Sequence, residues 1–194
     1  MKKYLESSKY IDWKSPSVKE LANKLAKGEQ NESGIAKRCF EWVRDNIKHS
    51  SDYKLNPVTC KASDVLREGT GYCYAKSHLL AALLRANNIP AGLCYQRLSV
   101  FENGAPYCLH GLNAVYLKEH GWYRMDARGN KAGVNAQFQP PHERLAFSVV
   151  GEKECNFPEI YSEPLPDVIE VLEMYQTYSE VLDNLPDIEC VKNA

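Results

Sequence analysis

Cys73 stands at the head of the run GTGYCYAKSHLLAALLRANNIPAG, residues 69–92. A thiol at the first turn of a helix faces unpaired backbone N–H groups and the positive end of the helix dipole. Both favour the charged sulfur that a nucleophile requires, and the same N–H groups can hold an oxyanion beside it. Gly69 and Gly71 let a substrate backbone approach without meeting a Cβ. A cysteine nucleophile also needs an imidazole to carry the proton and a third group to orient that imidazole. Of the five histidines, His49 and His120 lie in polar turns, His142 follows two prolines, and His78 is five residues into the Cys73 helix. His110 opens the alternating apolar run HGLNAVYL (110–117), an unusual place for a polar ring. Asp126 sits in WYRMDA (122–127), a strand-like run in which carboxylates are disfavoured.

Strand register decides whether His110 and Asp126 can meet. A three-residue loop at 118–120 sets Leu117 opposite Gly121 and Asp126 opposite Leu112, on the face of His110 and diagonal to it. A two- or four-residue loop turns Asp126 to the wrong face. A mixed set of Cys73, Cys108, His110 and Asp126 could instead hold zinc, because Cys108 and His110 share a strand face. The nucleophile reading explains the placement of Cys73 better.

The elements that must carry these groups follow from hydrophobic period. Helical spacing covers 17–27, 33–48 with Ser33 as a possible cap, 62–68 and 73–87, the last ended by Asn87, Asn88 and Pro90. The stretch 49–60 reads as a loop. From residue 91 the period becomes alternating, giving strands at 91–101, 110–117 and 122–127, with a further one at 143–150. Loop 129–142 and the proline-bearing connector 151–166 lead to a helix at 167–185, a packing or dimer element. Helices first and strands after them indicate an α+β fold, an antiparallel sheet against a central helix.

The 194 residues fit one domain, with a core at about 35–150 and helical additions at both ends. A net charge of -1, from 24 basic and 25 acidic residues, supports neither nucleic acid nor an anionic membrane as partner. The start MKKYLESSKYIDWKS does not read as a signal peptide, so the expected compartment is the cytoplasm. Seven cysteines without a CxxC pair are read mostly as small buried side chains in a reducing compartment.

Three segments together resemble the transglutaminase-like superfamily of papain-like Cys-His-Asp enzymes, in particular its small bacterial-type members. They are the Cys73 helix with its ALLRA and IPA ending, the strand HGLNAVYL and the run GWYRMDARGN; FEWVRDNI (40–47) and KASDVLREG (61–69) match upstream. The resemblance implies a papain-like α+β core with Cys73 as nucleophile, His110 as general base and acid, and Asp126 as orienter. It implies cysteine-dependent acyl transfer on an amide through a thioester, hydrolytic as in a protease or amidase rather than cross-linking. Substrates would be a peptide, a protein or a small amide, and no cofactor or metal is implied. A side-chain oxyanion donor upstream of the cysteine is expected; Tyr53 is the candidate, with Tyr72 and Leu112 as further oxyanion or substrate contacts. Leu112 stands where the family often has Trp, and Ala127, Arg128, Gly129 and Asn130 replace its frequent Pro-Thr ending. The alternative is a transglutaminase-like module that binds peptides or partners without chemistry.

Overall fold

The computed structural model describes residues 1–101 and 104–190. Helix α1 (Pro16–Ala26) begins with proline at its first turn, where the missing N–H costs nothing. Helix α2 (Glu32–Asn46) is capped by Asn31, whose side chain accepts from the Gly34 N–H at 2.8 Å. Asn31 takes the capping position expected of Ser33, which lies inside the helix. Strand β1 (Lys48–His49) and the single turn α3 (Ser50–Tyr53) occupy part of the expected 49–60 loop. Helix α4 (Ala62–Glu68) ends at Gly69, whose φ of +66° suits a residue without a Cβ. Strand β2 (Thr70–Gly71) then leads into α5 (Cys73–Ala86).

The chain continues as β3 (Ala91–Phe101), β4 (Gly104–Leu117) and β5 (Gly121–Met125), which with β8 (Cys155–Asn156) form an antiparallel sheet in the order β5-β4-β3-β8. The turn 118–120 sets Leu117 opposite Gly121, the register that brings Asp126 toward His110. A hairpin of β6 (Gln137–Gln139) and β7 (His142–Arg144) lies within the stretch read as loop, and the strand expected over 143–150 shrinks to the end of β7. The helix expected over 167–185 is two helices, α6 (Pro166–Met174) and α7 (Tyr178–Asp183). Tyr175 is extended between them, and Thr177 starts α7 in a reciprocal capping box with Glu180.

Every residue of α5 from Cys73 to Arg85 is buried. It runs between β3 and β4 on one side and α1, α2 and α4 on the other. A helix enclosed on all sides must be apolar throughout or have its polar groups paired. The Arg85 guanidinium, buried at the far end, donates to the carbonyls of Ala91 (3.0 Å), Glu6 (2.9 Å) and Ser162 (2.6 Å). The start of β3 and two segments distant in sequence are thereby tied to the C-terminal end of α5.

Cys39, Cys60 and Cys94 are buried free thiols, whereas Cys155 and Cys190 are joined in a disulfide. That bond departs from the expectation of a reduced set: β8 carries Cys155 to a surface where the later chain passes. Among the described residues, no helix is long and apolar enough to cross a membrane.

Candidate active site

Odd-numbered residues of β4 face α5. Gly111 lies against Tyr74, and the Asn113 amide donates to the Ser77 carbonyl at 2.9 Å. Even-numbered residues face away, where Leu112 and Ala114 join Cys94 in a small second core. Cys73 and His110 therefore belong to opposite faces of the sheet, and they meet around its edge. Beyond Asn113, which pairs with Met125, β5 no longer covers β4. The next N–H on that edge, from Gly111, donates to Cys73 Sγ at 3.4 Å. The one after it, from Leu109, donates to the Pro186 carbonyl at 2.7 Å. The sulfur thus fills a one-residue gap in the sheet edge. Gly111 permits this approach: a Cβ there would lie 2.9 Å from Tyr74 Cδ1 and 3.1 Å from its Cα.

His110 Nε2–H donates to Asp126 Oδ2 at 2.7 Å. The other ring nitrogen, Nδ1, is left free of Asp126, and the imidazole lies near enough to the Cys73 sulfur for the sulfur to raise its pKa. Asp126 has no exposed surface and also accepts from the N–H groups of Arg128 (3.0 Å) and Ala146 (3.1 Å). Burial opposes its ionisation, yet His110 and these two N–H groups hold the carboxyl below its usual range. Burial would likewise lower the His110 pKa, but Asp126 and the Cys73 sulfur raise it to about 10. Phe147 meets the imidazole edge-on, with ring centroids 5.0 Å apart, and fixes its plane. The thiols of Cys39, Cys60, Cys94 and Cys108 are pushed up to about 12 by burial.

The sulfur and imidazole open into a cavity of about 360 Å³. Its wall includes His49, which the sequence assigned to a polar turn. The β1–β2 bridge pairs His49 with Gly71, two residues before the thiol. His49 is buried, packs edge-on to Tyr72 at 5.4 Å, and its Nδ1 has no hydrogen-bond partner. Burial and the Arg128 charge push its pKa well below the usual value, so the ring is neutral. Arg128 and Lys131 both clamp Asp52, whose carboxyl they hold low against the opposing effect of burial.

Of the other expected site residues, Tyr72 lines the cavity and donates its hydroxyl to the Tyr178 carbonyl at 2.5 Å. Tyr53 does not line it: the single turn α3 leaves its side chain 58% exposed, beneath the Lys48 ammonium. Leu112 is fully buried in the second core, because residues of its parity point away from α5. The four-residue zinc set is not gathered around one point, because the imidazole stands between Asp126 and the sulfur. Among the described residues, no group of three or more His, Cys, Asp or Glu is placed to hold a metal. Leu182 and Leu185, within the segment read as one helix over 167–185, line the cavity.

A cysteine at the start of a buried helix, facing a His–Asp pair on antiparallel strands, defines the papain-like class of α+β folds. Within it, the chain belongs to the transglutaminase-like superfamily, whose family model matches residues 19–127, more than half of the sequence. Among solved structures it is similar to a candidate cysteine protease from Cytophaga hutchinsonii, with 25% identity and a TM-score of 0.50. That match covers 64% of this chain and 40% of the other. It is also similar to the periplasmic domain of TgpA from Pseudomonas aeruginosa, with 20% identity and a TM-score of 0.49, covering 64% of this chain and 45% of that one. The chain therefore spans less than half the length of these neighbours. No curated protein matches it.

Proposed function

We propose that this protein is a cysteine-dependent acyl-transfer enzyme that hydrolyses an amide bond of a peptide, protein or small amide. Cys73 sulfur attacks the amide carbonyl, forming the S–C bond of a tetrahedral intermediate. His110 passes its proton from Nδ1 to the leaving amine as the C–N bond breaks, leaving a thioester. His110 then takes a proton from water, which attacks the thioester carbonyl; the C–S bond breaks, the carboxylic acid leaves, and the proton on His110 returns to the sulfur. Asp126 keeps Nε2 protonated throughout and stabilises the imidazolium. The backbone N–H at the start of α5 and the neutral His49 ring are the oxyanion donors in this scheme.

The observation that supports the reading is the meeting of Cys73 and His110 at the gap in the β4 edge, inside an open cavity, with Asp126 behind the ring. The Cys155–Cys190 bridge weighs against the cytoplasmic placement expected from the sequence, because such bonds persist in oxidising compartments. The test is incubation with a panel of peptide and small amides, followed by acid quenching and mass analysis. A thioester adduct on Cys73, absent from Cys73→Ala, is expected. Equal turnover by Cys73→Ala and wild type would overturn the mechanism.

A further inference from the structure

Residues 176–190 lie outside the part of the chain shared with the family model, yet they close one side of the cleft. Their path is tied down at both ends. At the near end, the Gln176 carbonyl accepts from the Val58 N–H at 3.3 Å, the Tyr178 N–H donates to Asn56 Oδ1 at 2.8 Å, and the Tyr178 carbonyl accepts from Tyr72. Val181 is fully buried and anchors α7. At the far end, Pro186 accepts from Leu109 on the exposed edge of β4. Asp187 then takes both arms of the Arg97 guanidinium, at 2.7 and 2.6 Å. Cys190 is bonded to Cys155, the residue directly opposite Arg97 in the β3–β8 pairing. The ion pair and the disulfide therefore fasten one strap to one point of the sheet.

Between these ties stand Leu182 and Leu185. Leu182 is 42% exposed, in a chain whose other leucines of this size mostly go to the core. Both line, together with Leu98, the cavity that holds Cys73 and His110. Leu98 pairs with Cys108 and so lies two residues along the same strand face as His110.

Resting on the acyl-transfer reading of Cys73, we propose that residues 178–190 are the specificity wall of the cleft. Leu182 and Leu185, with Leu98, receive an apolar side chain on the acyl part of the substrate, and the Cys155–Cys190 bridge latches that wall in place. A dithiol reductant unlatches it: the S–S bond breaks, two thiols form on Cys155 and Cys190, and the dithiol closes to its own disulfide after giving two electrons and two protons. The far end of the strap is then held by the Leu109–Pro186 hydrogen bond, the partly exposed Arg97–Asp187 ion pair and the packing of Leu185 and Ile188, while the near-end ties remain. An apolar pocket of this kind discriminates by roughly 10- to 200-fold for a single methylene.

The test uses the full chain and peptide anilides with leucine or glycine at the acyl residue, compared as the ratio of kcat/KM. Wild type is expected to favour leucine by about tenfold or more. The double variant Leu182→Ser with Leu185→Ser is expected to bring the ratio near one. The double variant Cys155→Ser with Cys190→Ser is expected to raise KM for the leucyl substrate several-fold and to keep kcat. A leucine-to-glycine ratio unaltered in both variants overturns the proposal. A second readout does not need turnover: Cys73 alkylation by iodoacetamide against that by a pyrene maleimide, with the adduct located by peptide mapping. The unlatched variant is expected to accept the bulky reagent several-fold faster relative to iodoacetamide, and an unchanged ratio overturns the latch. Dithiol-treated wild type serves where the cysteine variant does not fold. Absence of Cys73-dependent turnover with a changed alkylation ratio would remove the acyl-transfer reading and leave the wall standing.

Discussion

His110 and Asp126 are joined at 2.7 Å although neither lies on the face of the sheet that meets α5, the helix that begins with Cys73. The carboxylate holds one side of the ring and the sulfur lies near it, so the imidazole bridges the two faces. Replacing Asp126 by Asn keeps the shape but offers Nε2 an amide in place of a charged acceptor. The tautomer that leaves Nδ1 free for proton transfer is then no longer favoured. A fall in kcat on the order of 10³–10⁴ is expected, with KM little changed, measured on whichever amide proves to be turned over. An Asp126→Asn enzyme with near wild-type kcat would show that His110 needs no orienter.

Burial sets the acid limit of stability through a different histidine. His78 is enclosed within α5, its Nδ1 bonded to the Cys60 carbonyl at 2.7 Å and its Nε2 without a partner. Burial lowers its pKa to about 4. The unfolded chain, with an ordinary histidine pKa of about 6.5, binds the proton first. Its stabilising contribution is therefore full above about pH 6.5 and is lost as pH falls from there toward 4. About 3 kcal/mol is at stake over that window. His78→Gln keeps a donor for Cys60 and removes the titration. Urea unfolding at pH 7 and pH 4.5 should show a smaller acid loss in the variant; parallel losses in the two proteins would remove His78 as the cause.

Gly111 is where packing and chemistry are inseparable. A methyl at this position meets the Tyr74 backbone as well as its ring, and the backbone of α5 cannot rotate away as a side chain can. Gly111→Ala is expected to cost about 1–3 kcal/mol in unfolding free energy. It should also move the sulfur from the Gly111 N–H and slow alkylation of Cys73. Crystallography or an alkylation time course would detect the displacement. An alanine accommodated with unchanged stability and labelling would mean that the helix start is looser than its burial indicates.

The parts legible in the sequence are those with a long period or a distinctive turn. The Cys73 helix announces itself by its glycines, its apolar run and its asparagine–proline ending. The loop 118–120 is short enough for its length to decide the register, and with it the pairing of His110 and Asp126. His49 was not legible, because a two-residue bridge has no period to read. The stripe of 167–185 looked continuous because its leucines and tyrosines keep helical spacing across a break. The break itself had a signal: Thr177 and Glu180 form the pattern of a helix start, and reading it would have separated α7, which carries Leu182, from the rest of the expected packing or dimer helix. Tyr53 failed for the converse reason, since aromatic character says nothing of which way a single helical turn will aim its ring.

The part proposed for His49 can be separated from a packing role by comparing substitutions. The ring fills a buried position against Tyr72, so His49→Ala removes both a donor and volume. His49→Phe keeps the volume and the edge-on contact but cannot donate, and His49→Gln keeps a donor. If the ring holds the oxyanion, His49→Phe should lose about 10²–10³ in kcat while KM stays within a few-fold, because the hydrogen bond strengthens only as charge develops on the carbonyl oxygen. His49→Gln should recover part of that loss, and thermal unfolding should place both variants near the wild type. A packing role gives the reverse order: phenylalanine close to wild type in rate and glutamine impaired. Kinetics of the two variants on one amide substrate, beside their melting temperatures, distinguish these outcomes, and a fully active His49→Phe would take His49 out of the mechanism and leave the backbone N–H groups at the start of α5 as the oxyanion donors.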